Sequence, residues 1–334
     1  MERLSVKRQL RIYLLTAGLV VLLTSISFYF EHQLDAYADS IENSDSWPMF
    51  KHDPQHTGYS SSNAPNTNET KWFYNASGAS SSPAVANGRV IFLSARTSQY
   101  GSVLALNSTT GEKLWSYDTF DSIDYVLEST PAIDMGRVYI SGLNHNLYCL
   151  NETTGALLWK YLADASIDSS PLVSNGKVFF GSADTLYCLN ADDGTLVWNS
   201  TMEFQYSLSS PAIWNNVIFI GCATPYYEMT FYAINAFTGV KIWDYNVTGY
   251  FTSSSPVVDD EKVFFASHGE SAYGGKVYCL DATTGTLIWN TPGEIDFRSS
   301  PTVANGKVFI GDYSDNPEGK CKLYCFNAAT GSSI

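Results

Sequence analysis

LYCLNETTGALLW, residues 147–159, joins an apolar run to a second apolar run that ends in tryptophan, through the polar turn NETTG. The pattern recurs as VLALNSTTGEKLW (103–115), LYCLNADDGTLVW (186–198), FYAINAFTGVKIW (231–243), VYCLDATTGTLIW (277–289) and LYCFNAATGSSI (323–334). Short runs rich in aromatic and aliphatic residues, bounded by turn residues, are typical of β-strands. A unit that returns at a spacing of roughly 40–50 residues indicates a repeat architecture.

A second marker, Ser-Ser-Pro or Ser-Thr-Pro, precedes each copy, as in SSPLVSNGKVFF at 169–180. Each unit therefore divides into four strands: A after the proline, B after the tight Asn-Gly-type turn, C in the LYCLN run, and D with the tryptophan. No helical periodicity appears after residue 30. The sequence predicts an all-β fold, a six-bladed β-propeller of four-stranded blades, preceded by one N-terminal hydrophobic helix.

The two ends of the repeat array predict how the propeller closes. The last copy reaches Ile334, one residue before the tryptophan position of the earlier copies. At the other end, Trp72-Phe73-Tyr74-Asn75 matches Trp243-Asp244-Tyr245-Asn246 of a strand D. Residues 71–75 are therefore predicted to form the outer strand of the sixth blade and to pair with 322–327. The alternative is that the chain is part of a seven- or eight-bladed protein.

The combination of D/N-x-x-T-G-x-x-x-W with Ser-Ser-Pro resembles the pyrroloquinoline-quinone (PQQ)-like propeller repeat, over roughly residues 72–334. The segment WPMFKHDPQHTGYS, 47–60, is similar to the lead-in that often precedes such repeats. That family includes quinoprotein alcohol dehydrogenases and a bacterial outer-membrane assembly lipoprotein. The resemblance implies that each strand-D tryptophan docks on the neighbouring blade. Those tryptophans are Trp72, Trp115, Trp159, Trp198, Trp243 and Trp289.

The resemblance does not extend to the enzyme site of the family. Its dehydrogenases place two adjacent cysteines beside PQQ and bind calcium through acidic and amide side chains. This sequence contains no Cys-Cys pair, and no run of calcium ligands can be aligned. We therefore expect no cofactor, no metal and no catalytic residue, in the manner of the non-enzymatic assembly lipoprotein. PQQ with calcium, in a redox or small-molecule-binding protein, is the alternative.

The first 68 residues predict export. Residues 12–30 are apolar and uncharged, with basic residues before them and acidic residues after them, which places residues 1–11 in the cytoplasm. This run is a membrane signal anchor or a signal peptide cleaved near Ala38. It is followed by an extended lead-in, 31–68, and the propeller, 69–334. The protein is then a single-pass protein with its propeller outside, or a secreted one.

The net charge and the glycosylation motifs limit which classes of partner and which modifications are expected. The formal net charge is −14, and the basic N-terminus makes the exported part more acidic still, so nucleic acid is not expected as a partner. Export would expose six N-x-Ser/Thr triplets to glycosylation, although such triplets also arise by chance. They begin at Asn68, Asn75, Asn107, Asn151, Asn199 and Asn246.

Four of the six cysteines occupy one slot of the repeat: Cys149, Cys188, Cys279 and Cys325. The other copies carry Ala105 and Ala233 in this slot, which indicates a small buried site. We expect these four thiols to be buried and unpaired, while Cys222 and Cys321 could pair with each other.

The connections D–A and B–C vary in length while the other turns do not, which predicts that binding residues lie on the face where these two connections emerge. Just before the Ser-Ser/Thr-Pro markers, Glu128, Asp168 and Arg298 are expected at the channel mouth, with Tyr226, Tyr273 and Tyr313 on the surrounding loops. These residues favour a protein or a glycan at the cell surface as the partner, unless they are only solvated loop ends. His52 and His56 are a weak candidate for a metal site.

Overall fold

The computed structural model describes residues 46–63, 66–76, 81–97, 100–119, 129–142, 144–202, 206–223, 229–247, 254–268, 274–292, 297, 299–313 and 321–334. Residues Ser46–Ile334 form one compact unit. Every regular element in these ranges is a β-strand, so the all-β prediction is confirmed. Within the same ranges, no helix is long and apolar enough to cross a membrane. The apolar segment 12–30 lies outside the described residues.

The strands fall into six groups, which we call blades 1 to 6. Blade 1 contains β1 (Ala84–Ala86), β2 (Arg89–Thr97), β3 (Tyr100–Asn107) and β4 (Lys113–Thr119), and blade 2 contains β5 (Ala132–Asp134), β6 (Arg137–Ser141), β7 (Asn146–Asn151) and β8 (Leu157–Leu162). Blade 3 contains β9 (Leu172–Ser174), β10 (Lys177–Ser182), β11 (Thr185–Asn190) and β12 (Leu196–Thr201). Blade 4 contains β13 (Tyr206–Leu208), β14 (Ala212–Trp214), β15 (Val217–Ala223), β16 (Met229–Asn235) and β17 (Lys241–Val247). Blade 5 contains β18 (Val257–Asp259), β19 (Lys262–Ala266), β20 (Val277–Asp281) and β21 (Leu287–Asn290), and blade 6 contains β22 (Thr302–Ala304), β23 (Lys307–Gly311) and β24 (Leu323–Asn327).

Each blade is an antiparallel sheet built in chain order. Blades 1, 2, 3 and 5 have the predicted four strands A to D side by side. In blade 4, both β13 and β14 pair with β15, which makes a five-stranded sheet, and the described sheet of blade 6 has three strands. The register is the same from blade to blade, with Cys149 opposite Trp159 and Cys188 opposite Trp198. The six-bladed architecture predicted from the repeat is confirmed.

The core lies between the blades, because strands B and C are covered on both faces. Val178, Phe179 and Phe180 of β10 are all buried, as is Tyr187 of β11. They belong to one cluster that also contains residues of blades 2 and 4. Side chains alternate between the two faces of a strand, so an unbroken apolar run such as KVFF suits a strand with a neighbouring sheet on each side. This packing explains why runs B and C do not alternate with polar residues.

The two hydroxyl residues of the Ser-Ser/Thr-Pro marker have different roles. In every blade except blade 2, the first acts within its own blade by accepting an N–H of strand B, as the Ser169 hydroxyl accepts that of Gly181 at 2.7 Å. The second joins consecutive blades, because its hydroxyl accepts the backbone N–H of the preceding marker. These bonds run from Thr130 to Ser170, from Ser170 to Ser210, from Ser210 to Ser255 and from Ser255 to Ser300, at 2.9, 2.9, 3.1 and 2.9 Å. The marker therefore ties blades 2 to 6 together in order.

The turn between strands C and D, which reads Thr-Gly in five copies and Asp-Gly in blade 3, is the docking site for a tryptophan from earlier in the chain. In blade 2, Asn151 Oδ1 accepts the N–H groups of Thr153 and Thr154, and Gly155 adopts a φ of 71°. The Trp115 ring lies so close that a Cβ on Gly155 would be 2.6 Å from it, and the indole donates to the Glu152 carbonyl at 2.8 Å. The same contacts join Trp72 to Gly111, Trp159 to Gly194, Trp198 to Gly239, Trp243 to Gly285 and Trp289 to Gly331.

The structure differs from the sequence prediction at residues 71–75. These residues form no strand and do not join the sheet of β24. Trp72 and Tyr74 instead pack on Leu104 and Leu106 of blade 1. On the outer side of β24, Ile334 donates its N–H to the Cys325 carbonyl at 2.9 Å. The segment thus seals blade 1 as a strand-D tryptophan does, without the predicted pairing to 322–327.

All six thiols are free, so the predicted absence of pairing among the repeat-slot cysteines is confirmed and Cys222 does not pair with Cys321. Cys149, Cys188 and Cys279 are buried, as expected, while Cys325 on β24 is partly exposed and Cys321 is exposed. Burial raises the pKa of Cys149, Cys188 and Cys279 to about 12. The reactive thiolate form of these three is therefore scarce near neutral pH.

We expect iodoacetamide to alkylate Cys321 in the native protein well before Cys149, Cys188 or Cys279, because only Cys321 is freely accessible. Peptide mass spectrometry after a short reaction measures each site, and the same reaction after denaturation should modify all six thiols. Early labelling of Cys188 in the native protein would contradict the described burial.

Candidate functional site

Four of the six predicted binding residues lie outside the described residues: Glu128, Arg298, Tyr226 and Tyr273. Asp168 is described and exposed, immediately before the marker Ser169 of blade 3. Tyr313 is also exposed, on the connection that follows β23. Asp168 precedes a strand A and Tyr313 follows a strand B, so both lie on connections that emerge at the same end of the blades. Their part in binding stays a prediction.

Residues 47–58, which we call the channel segment, bind the inner strands directly. The backbone N–H of the middle residue of strand A donates to a carbonyl of this segment in five blades. The bonds are Val85 to Trp47, Ile133 to Pro48, Ile213 to Pro54, Val258 to Gln55 and Val303 to Thr57, at 2.8, 2.7, 2.8, 2.9 and 3.1 Å. A single short segment that reaches five inner strands must lie in the channel that these strands surround. It supplies the partners that an inner edge strand otherwise lacks.

The side chains of the channel segment add contacts to the same strands. His56 is buried, and its Nδ1 lies 3.1 Å from the Pro256 carbonyl, so that nitrogen carries the proton and donates. Lys51 donates from Nζ to the Pro301 carbonyl. Both acceptors are the prolines of the Ser-Ser-Pro marker, in blades 5 and 6. The marker therefore holds the channel segment as well as the neighbouring blade.

The backbone of the channel segment is bent into uncommon conformations. Lys51, His52 and His56 have φ values of 54°, 80° and 63°. Positive φ is rare in residues other than glycine and costs on the order of 1–3 kcal/mol where the surroundings enforce it. Such a backbone persists because the hydrogen bonds to the inner strands outweigh its cost.

The ionisable groups of the channel segment are strongly perturbed. Burial lowers the pKa of His56 to about 3, and the nearby Lys51 lowers it in the same direction, so His56 is neutral. Burial lowers the pKa of Lys51 to about 7 against the attraction of Asp53, although part of the Lys51 side chain still reaches solvent. The pKa of Asp53 is also lowered, because hydrogen bonds from His52 and Thr57 outweigh its burial.

The two histidines do not form the metal site considered from the sequence. His52 Nδ1 lies 3.3 Å from Asp53 Oδ2, whereas His56 is committed to the Pro256 carbonyl. In the part of the chain that the structure describes, no group of three or more His, Cys, Asp or Glu side chains is placed to hold a metal ion.

Residues 47–60 are recognisable from the sequence as a lead-in, but their position is not. One signal was present: Pro48 and Pro54 have no N–H, and both use their carbonyls as acceptors. A segment that accepts more hydrogen bonds than it donates suits a channel lined by unpaired N–H groups.

Known structures with this architecture include BamB and alcohol-oxidising dehydrogenases. The chain is similar to BamB from Moraxella catarrhalis, with 21% identity over 76% of this chain and 74% of that chain and a TM-score of 0.58. It is also similar to a europium-containing methanol dehydrogenase, with 14% identity over 88% and 78% of the two chains and a TM-score of 0.69. A quinohemoprotein alcohol dehydrogenase from Comamonas testosteroni gives 14% identity, 87% and 73% coverage and a TM-score of 0.56. Identities this low show a shared fold.

Sequence comparison adds the family. No curated protein sequence matches the chain significantly. The model of the family described as outer membrane protein assembly factor BamB matches residues 62–123, 101–273 and 228–334. These matches run through all six blades and cover most of the chain, so the protein belongs to this family of PQQ-like propellers.

Proposed function

We propose that the protein is a non-catalytic propeller that binds another protein through the loops of its channel-mouth face. The observation that carries this proposal is the channel segment, which occupies the centre of the propeller and bonds to five inner strands. With the centre filled by the chain itself, the surface left for a partner is the set of variable loops at the ends of the blades. Membership of the BamB family supports a protein as that partner; a glycan is the second possibility.

The proposal extends to location. Residues 12–30 hold the protein in a membrane with residues 1–11 in the cytoplasm, or are removed by cleavage near Ala38. In both cases the propeller is outside the cytoplasm and meets its partner at the cell surface. The order of charges around residues 12–30 supports this orientation.

Changing Glu128, Asp168 and Arg298 together to alanine is expected to weaken partner binding about tenfold or more, as loss of central interface residues does. Under this proposal the three residues act in binding and not in folding, so the melting temperature should stay nearly unchanged. The measurement is recovery of the partner on the tagged full chain from membranes, together with thermal unfolding of each variant.

A matched control removes exposed charges at the opposite end of the blades, Asp192 and Asp260, whose side chains are 75% and 85% exposed. That variant should bind as the unchanged protein does. If the control loses binding and the channel-mouth variant keeps it, the binding face has been placed at the wrong end.

The redox alternative is tested separately by adding PQQ with Ca²⁺ to the purified protein. Under the present proposal neither the melting temperature nor the cofactor absorbance changes. A saturable change in both would replace the binding proposal with that of a quinoprotein.

A further inference from the structure

The channel segment contains a histidine, His56, that resists protonation. It lies where the segment is attached to the inner strands of blades 5 and 6. His56 is buried, donates from Nδ1 to the Pro256 carbonyl, and packs edge-on against Phe50 at 5.1 Å between ring centroids. Its neighbours Gln55 and Thr57 accept the inner-strand N–H groups of blades 5 and 6. Any change at His56 therefore acts directly on these two attachments.

We propose that the channel segment is an acid-released latch: a second proton on the His56 imidazole detaches residues 55–58 from the inner strands of blades 5 and 6 and opens the channel. The proposal concerns a conformational change within the chain and does not depend on the identity of the partner.

Burial is the main obstacle to protonation of His56, and two charged groups act on it in opposite directions. Lys51, on the same segment, places a positive charge nearby. Asp53 places a negative charge that favours protonation, but its oxygens already accept the N–H and hydroxyl of Thr57 and contact His52. From the packed inner strand of blade 5, Asp259 interacts with Asp53. An imidazolium at His56 would thus be buried beside a cation, with its closest anion already engaged, and moving to solvent relieves this.

Two further features of the channel segment allow it to detach from the inner strands. The positive φ angles at Lys51, His52 and His56 are maintained by docking, and release relaxes them. Beyond the segment, residues 66–71 are exposed. The chain on the C-terminal side of His56 is therefore not held by the core over that stretch, which leaves room for a hinge.

The direction of the pH effect follows from linkage. The docked state holds His56 neutral down to a pKa of about 3, against an ordinary value of 6.5. Docking is therefore strongest above the ordinary value and weakens up to tenfold per pH unit as the pH falls from 6.5 towards 3. Lys51, with its pKa lowered from 10.5 to about 7, weakens docking in the same direction, but its effect levels off by about pH 6, below its docked-state pKa. In the acidic range, the pH dependence of docking is therefore due to His56.

Amide hydrogen exchange on the full chain tests the latch. The N–H groups of Val258 and Val303, which bond the channel segment, are the reporters, and those of Val263 and Val308 in the middle strands of the same sheets are internal controls. We expect reporter protection factors to fall by up to about tenfold per unit between pH 6 and pH 4 while the controls hold. Reporters that stay protected to pH 4, or that lose protection together with the controls, would overturn the proposal.

Two variants identify the group. His56→Gln keeps an amide N–H donor but cannot titrate, so its reporters should show no pH dependence between pH 6 and pH 4. His52→Gln, at the neighbouring histidine, should behave like the unchanged protein. A pH-dependent loss that persists in His56→Gln contradicts the assignment to His56. The comparison of reporters and controls in the unchanged protein decides the matter if His56→Gln does not fold.

Discussion

Replacing Gly194 with alanine is expected to lower the free energy of unfolding by about 3–4 kcal/mol. Two effects add together at this position. Gly194 has a φ of 72°, which any other residue adopts at a cost of about 1–2 kcal/mol. An added Cβ would also lie 2.5 Å from Trp159 Cε3, so the indole that seals blade 2 against blade 3 must move. Denaturant unfolding followed by tryptophan fluorescence measures the loss.

The same blade offers a control for backbone strain. Gly176 has a φ of 68°, yet a Cβ added there meets nothing within 4 Å. Gly176→Ala should therefore cost only about 1–2 kcal/mol. Equal losses in the two variants would mean that the tryptophan contact contributes nothing and that the Asp193-Gly194 turn is only a turn.

A chain that begins at residue 59 is expected to lose cooperative unfolding or to melt far below the intact protein. Without the channel segment, the N–H groups of five inner strands lose their acceptors. At about 1 kcal/mol for each hydrogen bond, this alone is about 5 kcal/mol, comparable to the whole stability of many domains. The buried side chains of Met49 and His56 are lost as well.

Thermal unfolding by circular dichroism compares this truncation with a chain that begins at residue 46. The longer chain keeps the channel segment and should melt as the full-length protein does. Equal melting temperatures for the two truncations would show that the segment is not part of the folding unit.

Most of the fold could be predicted because the repeat encodes it in side chains. In blade 3 the run LYCLN lies in β11, and the Asn-Gly-type turn connects β9 to β10. Trp198 lies opposite Cys188, as in the other blades with this pair. Each feature depends on a local preference, such as a glycine with positive φ or an apolar run between two neighbouring sheets. Six copies of the same preferences leave little room for another architecture.

The two features that the sequence analysis did not foresee depend on the backbone. Trp72 docks on Gly111 as the pattern implied, but residues 71–75 do not pair with β24, because a tryptophan specifies the face that it seals and not the strand beside it. Similarly, the channel segment is recognised through its carbonyls, which every residue possesses. Residue identity therefore marked residues 47–60 as a unit without showing which strands they bind.

The sequence predicts which end of the blades carries the candidate binding face, but not which residues of that face contact a partner. Strand order places Asp168 and Tyr313 at the same end of the blades, as loop variability indicated. Which side chains there contact a partner depends on the conformations of long connections, and no periodic pattern specifies them.

The central claim is that the channel segment lies in the channel against the inner strands, and one cross-link tests it. A Cβ built on Gly58 would lie 3.5 Å from the Cβ of Thr302 in β22, within the range that a disulfide spans. Gly58→Cys with Thr302→Cys should therefore form a disulfide in the folded protein, found by peptide mapping without reduction. Gly58→Cys with Gly88→Cys, in a turn of blade 1 where an added Cβ meets nothing within 4 Å, should not. Absence of the 58–302 link, or equal linking in both pairs, would contradict the placement of the channel segment.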